Sequence, residues 1–191
     1  MINKTFLSKI KKNLDTFQKE RGKIIGSSRE ILQNSKKAIF ALHAGKIKEA
    51  KLVIANAEKG LNLLNKTYNK DNRLRFEGSF KAAVEEYVEA KMFATVLEKK
   101  NLSELKIQNI GPEEYIGGLA DLTGELVRQA VLQATNGNHQ ELKRYKIICE
   151  GVVEFLLTLY LTGHLRQKFD SSKRNLGRLE QIIYEVSIRN I

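Results

Sequence analysis

Apolar residues return at three- and four-residue spacing along almost the whole chain, and no long stretch alternates apolar and polar residues between turn signals. That periodicity predicts an all-α fold. Ile24, Ile25, Ile31, Leu32, Ile39 and Leu42 mark one stripe of a long first helix from about residue 4 to His43, with Gly45 as its stop signal and Gly22 and Gly26 as points where it can bend. A second helix is expected from Ile47 to Tyr68, closed by the polar "NKDN", and a third from Arg73 to Lys99. "NLSELKI" supplies at most a short turn before "NIGP". Pro112 suits the first position of the next helix, and Glu113 and Glu114 suit the positive end of its dipole. That helix should run to about Ala134, followed by the loop "TNGNH", a helix over roughly Gln140 to Lys168 and a last one over Ser172 to Ile188. With no internal repeat or low-complexity tract, the expectation is a helical bundle able to assemble further.

The 191 residues, 42% of them hydrophobic, suffice for a single domain spanning 1–191 with a real core. Thirteen glycines and one proline leave no linker-like tract. The N-terminal "MINKTFLSKIKKNLDTF" lacks the apolar run of a secretory signal, so a cytoplasmic location and no membrane partner are expected. The most apolar stretch, "IICEGVVEFLLTLYLTGHL", is interrupted by Glu150 and Glu154 and reads as a core helix. Cys149 lies within it and has no second cysteine to pair with, which points to packing.

Charge is distributed unevenly. The chain carries 33 Lys/Arg against 22 Asp/Glu, a net +11. Residues 1–50 hold twelve basic and four acidic side chains, while residues 81–130 hold six and nine. A basic arm beside an acidic middle suits a polyanion whose phosphates must approach carboxylates, although a basic surface kept for solubility accounts for the excess too.

The acids themselves are spaced at helical intervals: Glu86 and Glu89 in "EEYVEA", and Asp121 and Glu125 in "GPEEYIGGLADLTGEL". On its helix Glu86 projects between Ala90 and Phe93, so it needs a base, a proton or a metal. Asp121 and Glu125 project opposite the apolar side formed by Leu119, Leu122, Thr123, Leu126 and Ala130, which reads as a solvated face, with Arg128 as an ion-pair partner for Glu125. Gly117, Gly118 and Gly124 argue the other way, because helix-interior glycines permit close approach of a backbone or ligand. If the two helices face each other, the four acids offer hard oxygen ligands for Mg2+ or Mn2+. Without an ion, such mutually repelling acids should bind protons more tightly.

With these motifs in view, the chain resembles the translin family, and specifically its translin-associated factor X (TRAX) branch, including archaeal forms. "EYVEA" followed by "GGLADLTGEL" matches that branch's acidic signature; "SREILQNSKKAIFALH" is similar to its basic first helix, and "LRQKFDSSKRNLGRLEQIIYEVSIRN" to its C-terminal segment. The resemblance implies seven helices, assembly into a hollow barrel-like octamer, and a divalent-metal-dependent endoribonuclease site on the cavity side. It maps the catalytic and metal-binding acids onto Glu86, Glu89, Asp121 and Glu125. Translin itself lacks most of these acids, so their presence favours the catalytic branch. Single-stranded RNA, with single-stranded DNA as a further ligand, is the expected partner, in a homo-oligomer or alongside a translin-like subunit.

Arg21, Arg29, Lys36, Lys37, Arg73 and Arg75 are the phosphate-contact candidates, and Tyr68, Phe76 and Tyr87 the aromatics able to stack bases or simply to fill the core. His43 is expected to be structural or a phosphate donor. The competing functions are a non-catalytic RNA or single-stranded DNA-binding protein, an all-α nucleoside-triphosphate pyrophosphatase, and a structural homo-oligomer without substrate. The pyrophosphatase would want ExxD in place of the DxxxE found here. A ferritin-like di-iron bundle would want Glu-x-x-His pairs, which do not occur.

Overall fold

The computed structural model describes residues 2–68, 73–107 and 110–189, among which there is no β-strand. Among the described residues, six α-helices and one 3-10 helix follow one another: α1 (Lys4–His43), α2 (Ile47–Tyr68), the 3-10 helix (Arg73–Phe76), α3 (Gly78–Leu97), α4 (Pro112–Thr135), α5 (His139–Leu157) and α6 (Gly163–Arg189). Asn3 starts α1 by accepting hydrogen bonds from the backbone N–H groups of Thr5 and Phe6. Gly45, at φ +71°, ends the turn after α1 in the left-handed conformation that glycine adopts without a Cβ penalty. The helix is continuous through Gly22 and Gly26.

Helices α1, α2 and α3 pack on one another, as do α4, α5 and α6, and α3 against α4 joins the two groups. Ile24, Ile31, Ala38 and Leu42 of α1, Ile54, Ala57 and Leu61 of α2, and Ala83, Val84, Tyr87, Val88 and Phe93 of α3 are buried in one core that runs on through Leu122, Leu126, Leu142, Tyr145 and Leu179. A smaller cluster of Ala120, Val152, Val153, Leu156 and Phe169 lies under the loop after α5. Cys149 is fully buried, and that burial pushes its thiol up to about 12, in keeping with a packing role. No helix of the described residues is long and apolar enough to cross a membrane.

Two stretches differ from the sequence expectation. The third helix does not begin at Arg73: Glu77 takes extended backbone angles between the 3-10 helix and α3. Glu77 is buried there, and its carboxylate accepts from the Arg21 guanidinium of α1, a tertiary contact that overrides local helix propensity. "NLSELKI" forms no helical turn.

The larger difference is near the C-terminus, where the helix begun at His139 stops at Leu157 and α6 runs unbroken from Gly163 through Ser172, the expected start of the last helix. Residues 158–162 look helical in sequence because Leu159 and Leu161 pack on the smaller core cluster, although Tyr160 between them is 98% exposed. Gly163, at φ +56°, makes the turn. Ser172 acts as no cap; its hydroxyl donates to the Lys168 and Ala120 carbonyls inside the α4–α6 contact. The expected "NKDN" break lies outside the described residues, as does part of "NIGP".

Candidate functional site

The seam between α3 and α4 is unusually close because two glycines line it. A Cβ on Gly118 would lie 2.6 Å from Val88 Cγ1 and 3.0 Å from the Glu85 carbonyl oxygen, and a Cβ on Gly117 would collide with the Glu85 carboxylate. A larger residue at Gly118 would force the helices apart, and one at Gly117 would displace the Glu85 carboxylate from its place.

This closeness brings the four acids singled out by spacing into one electrostatic neighbourhood. Glu89 faces inward and is only 7% exposed, while Glu86, Asp121 and Glu125 are half-buried around it. Burial, reinforced by the charges of Asp121, Glu86 and Glu125, pushes the Glu89 carboxyl up to about 9. Glu86 is raised as well, again chiefly by burial, with Lys36 opposing and Asp121 and Glu125 adding to the rise. The expected increase in proton affinity is therefore present. The reading of Asp121 and Glu125 as a solvated face is corrected: α6 and α1 cover it, and Glu125 pairs with His43 while Arg128 is exposed.

Side chains from two other helices complete the site. Lys168 of α6 places Nζ 3.0 Å from Glu85 Oε1 and pairs with Asp121. Burial works against its charge, yet hydrogen bonds and attraction from Asp121 and Glu85 outweigh that and raise its pKa. His43, buried at the end of α1, sets Nε2 against Glu125 Oε2 and Nδ1 3.1 Å from Gln129 Oε1, with its ring tilted on Phe93 at a centroid distance of 4.7 Å. Lys36 Nζ stands 3.9 Å from Glu86 Oε2 at the solvent edge.

Glu85 and Lys168 are absent from the sequence-derived candidates, and the part played by His43 exceeds what was expected of it. Glu85 was legible, since it lies one helical turn before Glu89. Lys168 was hidden by the misplaced helix boundary.

The donor set is chemically suited to a hard divalent cation, being all carboxylate oxygen, with Glu89 raised to about 9 by burial and further by the neighbouring acids. As the side chains stand, however, no three His, Cys, Asp or Glu residues among those described are close enough to share an ion.

The basic candidates divide by position. Lys36, Lys37 and Arg29 are exposed on α1. Arg21 is engaged with Glu77, and Arg73 with Glu20, with the Phe17 carbonyl at 2.7 Å and with the Phe17 ring at 4.2 Å, so both tie the start of the third helical segment to α1. Arg75 is exposed, as is Phe76 at 84%. Tyr87 is buried in the core and donates to Glu58 at 2.8 Å, and Tyr68 packs against that core half-buried.

The model of the Translin family matches residues 19–190. An uncharacterised protein of Methanocaldococcus jannaschii is 30% identical over 161 residues, covering 80% of this chain and 70% of its own. The translin-associated protein X homolog of Schizosaccharomyces pombe is 26% identical, covering 98% of this chain and 89% of its own. Among solved structures, the crystal structure of AfC3PO superposes with a TM-score of 0.88 at 24% identity over 96% of this chain and 97% of that one. The complex of AfC3PO with duplex RNA gives 0.85 at 23% identity over the same shares of both chains.

Proposed function

This chain belongs to the Translin family, and from that membership we propose that it binds RNA and cleaves it in a divalent-metal-dependent reaction, at the acids of the α3–α4 seam. The observation that carries the catalytic part is Glu89: a carboxyl buried among three other acids is costly unless protonated or neutralised, and its surroundings have the composition of a phosphoryl-transfer centre. Glu86, Glu89, Asp121 and Glu125 are the residues that would hold Mg2+ or Mn2+. Such an ion supplies a water activated for in-line attack on a phosphodiester and charge compensation at the leaving oxygen.

The chain's own residues then bring the substrate to that place. Lys36, beside Glu86, links the acid seam to the exposed basic face formed with Arg29 and Lys37, where backbone phosphates can be gripped without regard to sequence. Nucleic-acid binding is supported by the AfC3PO complex with duplex RNA, so duplex as well as single-stranded probes belong in any test.

Assembly into a hollow oligomer, of which the octamer is the expected form, is supported by the first half of α1. Its first buried residue is Ile24, and before it Phe6, Leu7, Ile10 and Leu14 expose large apolar side chains, as does Phe17 on the part of its ring that Arg73 leaves open.

A second reading, RNA binding without cleavage, is favoured by the Lys168 ammonium already seated on the acids and by the lack of three converging donors among the described residues. One experiment separates the two. Wild-type protein and Glu89→Gln are incubated with end-labelled RNA in magnesium or EDTA, and cleavage and binding are followed together. Metal-dependent cutting that disappears in the variant while binding persists is the expected result. Binding without cutting in both proteins would remove the nuclease.

A further inference from the structure

The acid seam contains a cation of its own. The ammonium of Lys168 reaches from α6 between the two acid-bearing helices, lying 3.0 Å from Glu85 Oε1 on α3 and pairing with Asp121 on α4. All three side chains are shielded from solvent over two thirds or more of their surface, so the charges are felt strongly. The other two side chains paired with the acids are placed differently. Lys36 is mostly exposed and 3.9 Å from its acid, a geometry in which ion pairs are weak. His43 is fixed by Gln129 and Phe93 as well as by Glu125. Lys168 alone of the three pairs with an acid on each of α3 and α4, and does so at the end of a flexible four-carbon stem.

A lysine ammonium and a divalent ion want the same thing here, the oxygen atoms of Asp121 and the surplus negative charge around Glu89. At contact distances in a shielded site their mutual repulsion is too large for both to stay on one carboxylate set. The arrangement seen, with Lys168 seated and no three of the described acids converging, is what a cluster closed on an internal cation looks like.

We propose that Lys168 is the internal counter-cation of the acid seam, holding Asp121 and Glu85 in the metal-free protein and having to leave Asp121 before Mg2+ or Mn2+ can bind. The inference rests on the metal-binding reading above. In this role Lys168 is a positioning residue: it acts through Asp121 and sets how readily the seam opens to an ion. The seam thus has two alternative occupants, and the protein's metal affinity is the difference between them.

The test uses the full-length protein and Mn2+ as probe, with affinity measured by calorimetry and the melting temperature recorded in EDTA and in Mn2+. Lys168→Met and Lys168→Gln should bind Mn2+ about tenfold more tightly than wild type, since a competing unit charge is gone. They should melt lower than wild type in EDTA and recover on adding Mn2+, while Lys168→Arg, which keeps the charge, should stay near wild type. If neither single variant folds, Lys168→Met combined with Glu85→Gln removes one charge of each sign and carries the same expectation for affinity. Unchanged or weaker Mn2+ binding in the neutral variants would overturn the counter-cation role and leave the metal-binding reading standing. No Mn2+ binding by wild type or any variant would overturn both.

Discussion

Replacing Glu89 by glutamine should stabilise the metal-free protein, which is the reverse of what removing a buried polar contact normally does. In the folded chain the Glu89 carboxyl titrates at about 9 against an ordinary 4.5, with burial as the main cause and the neighbouring acids adding to it. Between those two values the folded state holds a proton that the unfolded chain has released. Stability therefore falls as pH rises through the window, by about 1.4 kcal/mol per pH unit from this group. Below pH 4.5 the penalty is absent, and above pH 9 it is complete.

Glutamine resembles the protonated acid in shape but does not titrate, so the variant escapes the penalty. The gain should be under about 1 kcal/mol at pH 5 and up to about 3 kcal/mol at pH 7. For a chain of this length that is a rise of roughly 6–12 °C in melting temperature at pH 7. Scanning calorimetry of both proteins in EDTA from pH 5 to 9 measures it directly. Two curves that run parallel, or a variant that melts below wild type at pH 7, would refute the claim that Glu89 is an acid held at a cost to folding.

Two further outcomes follow from the same geometry. Gly118→Ala places a methyl group against Val88 and the Glu85 backbone, so it should destabilise the fold by about 1–3 kcal/mol, seen as a lower denaturation midpoint with an unchanged slope; a neutral result would mean that the α3–α4 seam has slack. Changing Arg29 and Lys37 together to glutamine should weaken RNA binding alike for all sequences and reduce the log–log salt slope by about 0.7 for each phosphate no longer neutralised. An unaltered slope would place the phosphates on another surface.

How much of this was legible in the sequence depends on what kind of signal each feature leaves. The bounds of α1 and α2 and the start of α4 could be read because they are written in local chemistry: Gly45 at a left-handed turn, Pro112 at a helix start, and apolar stripes that match the helical period. The break after α3's expected start left no such mark, since Glu77 leaves the helix to meet Arg21, a residue 56 positions away. The stretch from Thr158 to Thr162 misled for a related reason, because Leu159 and Leu161 are apolar to cover a core and not to continue a helix.

That second error reached the site. With α6 taken to begin at Ser172, Lys168 fell at the tail of a different helix, whereas in the continuous α6 it lies one turn before Ser172 and faces α4 with it. Spacing located Glu86, Glu89, Asp121 and Glu125, but wheel geometry assigned Asp121 and Glu125 to solvent. A helical wheel shows which side of a helix is apolar; it does not show that a polar side is covered by two other helices whose side chains pair with it.

The length of α1 turns a packing feature into a ruler. Each residue of an α-helix advances the axis by roughly 1.5 Å and turns it by about 100°, so the 20 or so residues before Ile24 span roughly 30 Å. Phe6, Ile10, Leu14 and Phe17 lie on the same line along the helix as Ile24, Ser28, Ile31 and Ser35, which are buried in the bundle. Whatever body grips the outer half is thereby held at a fixed distance and a fixed rotation from the Lys36 and His43 that border the acids. Loss of a single residue from the outer half would swing that grip about a quarter of the way round the axis, whereas loss of seven would shorten the reach by roughly 10 Å and leave its direction nearly the same. The projecting half of α1 would thus set where a body docked on it stands relative to the acid seam, as a phase and a length, without touching the seam itself.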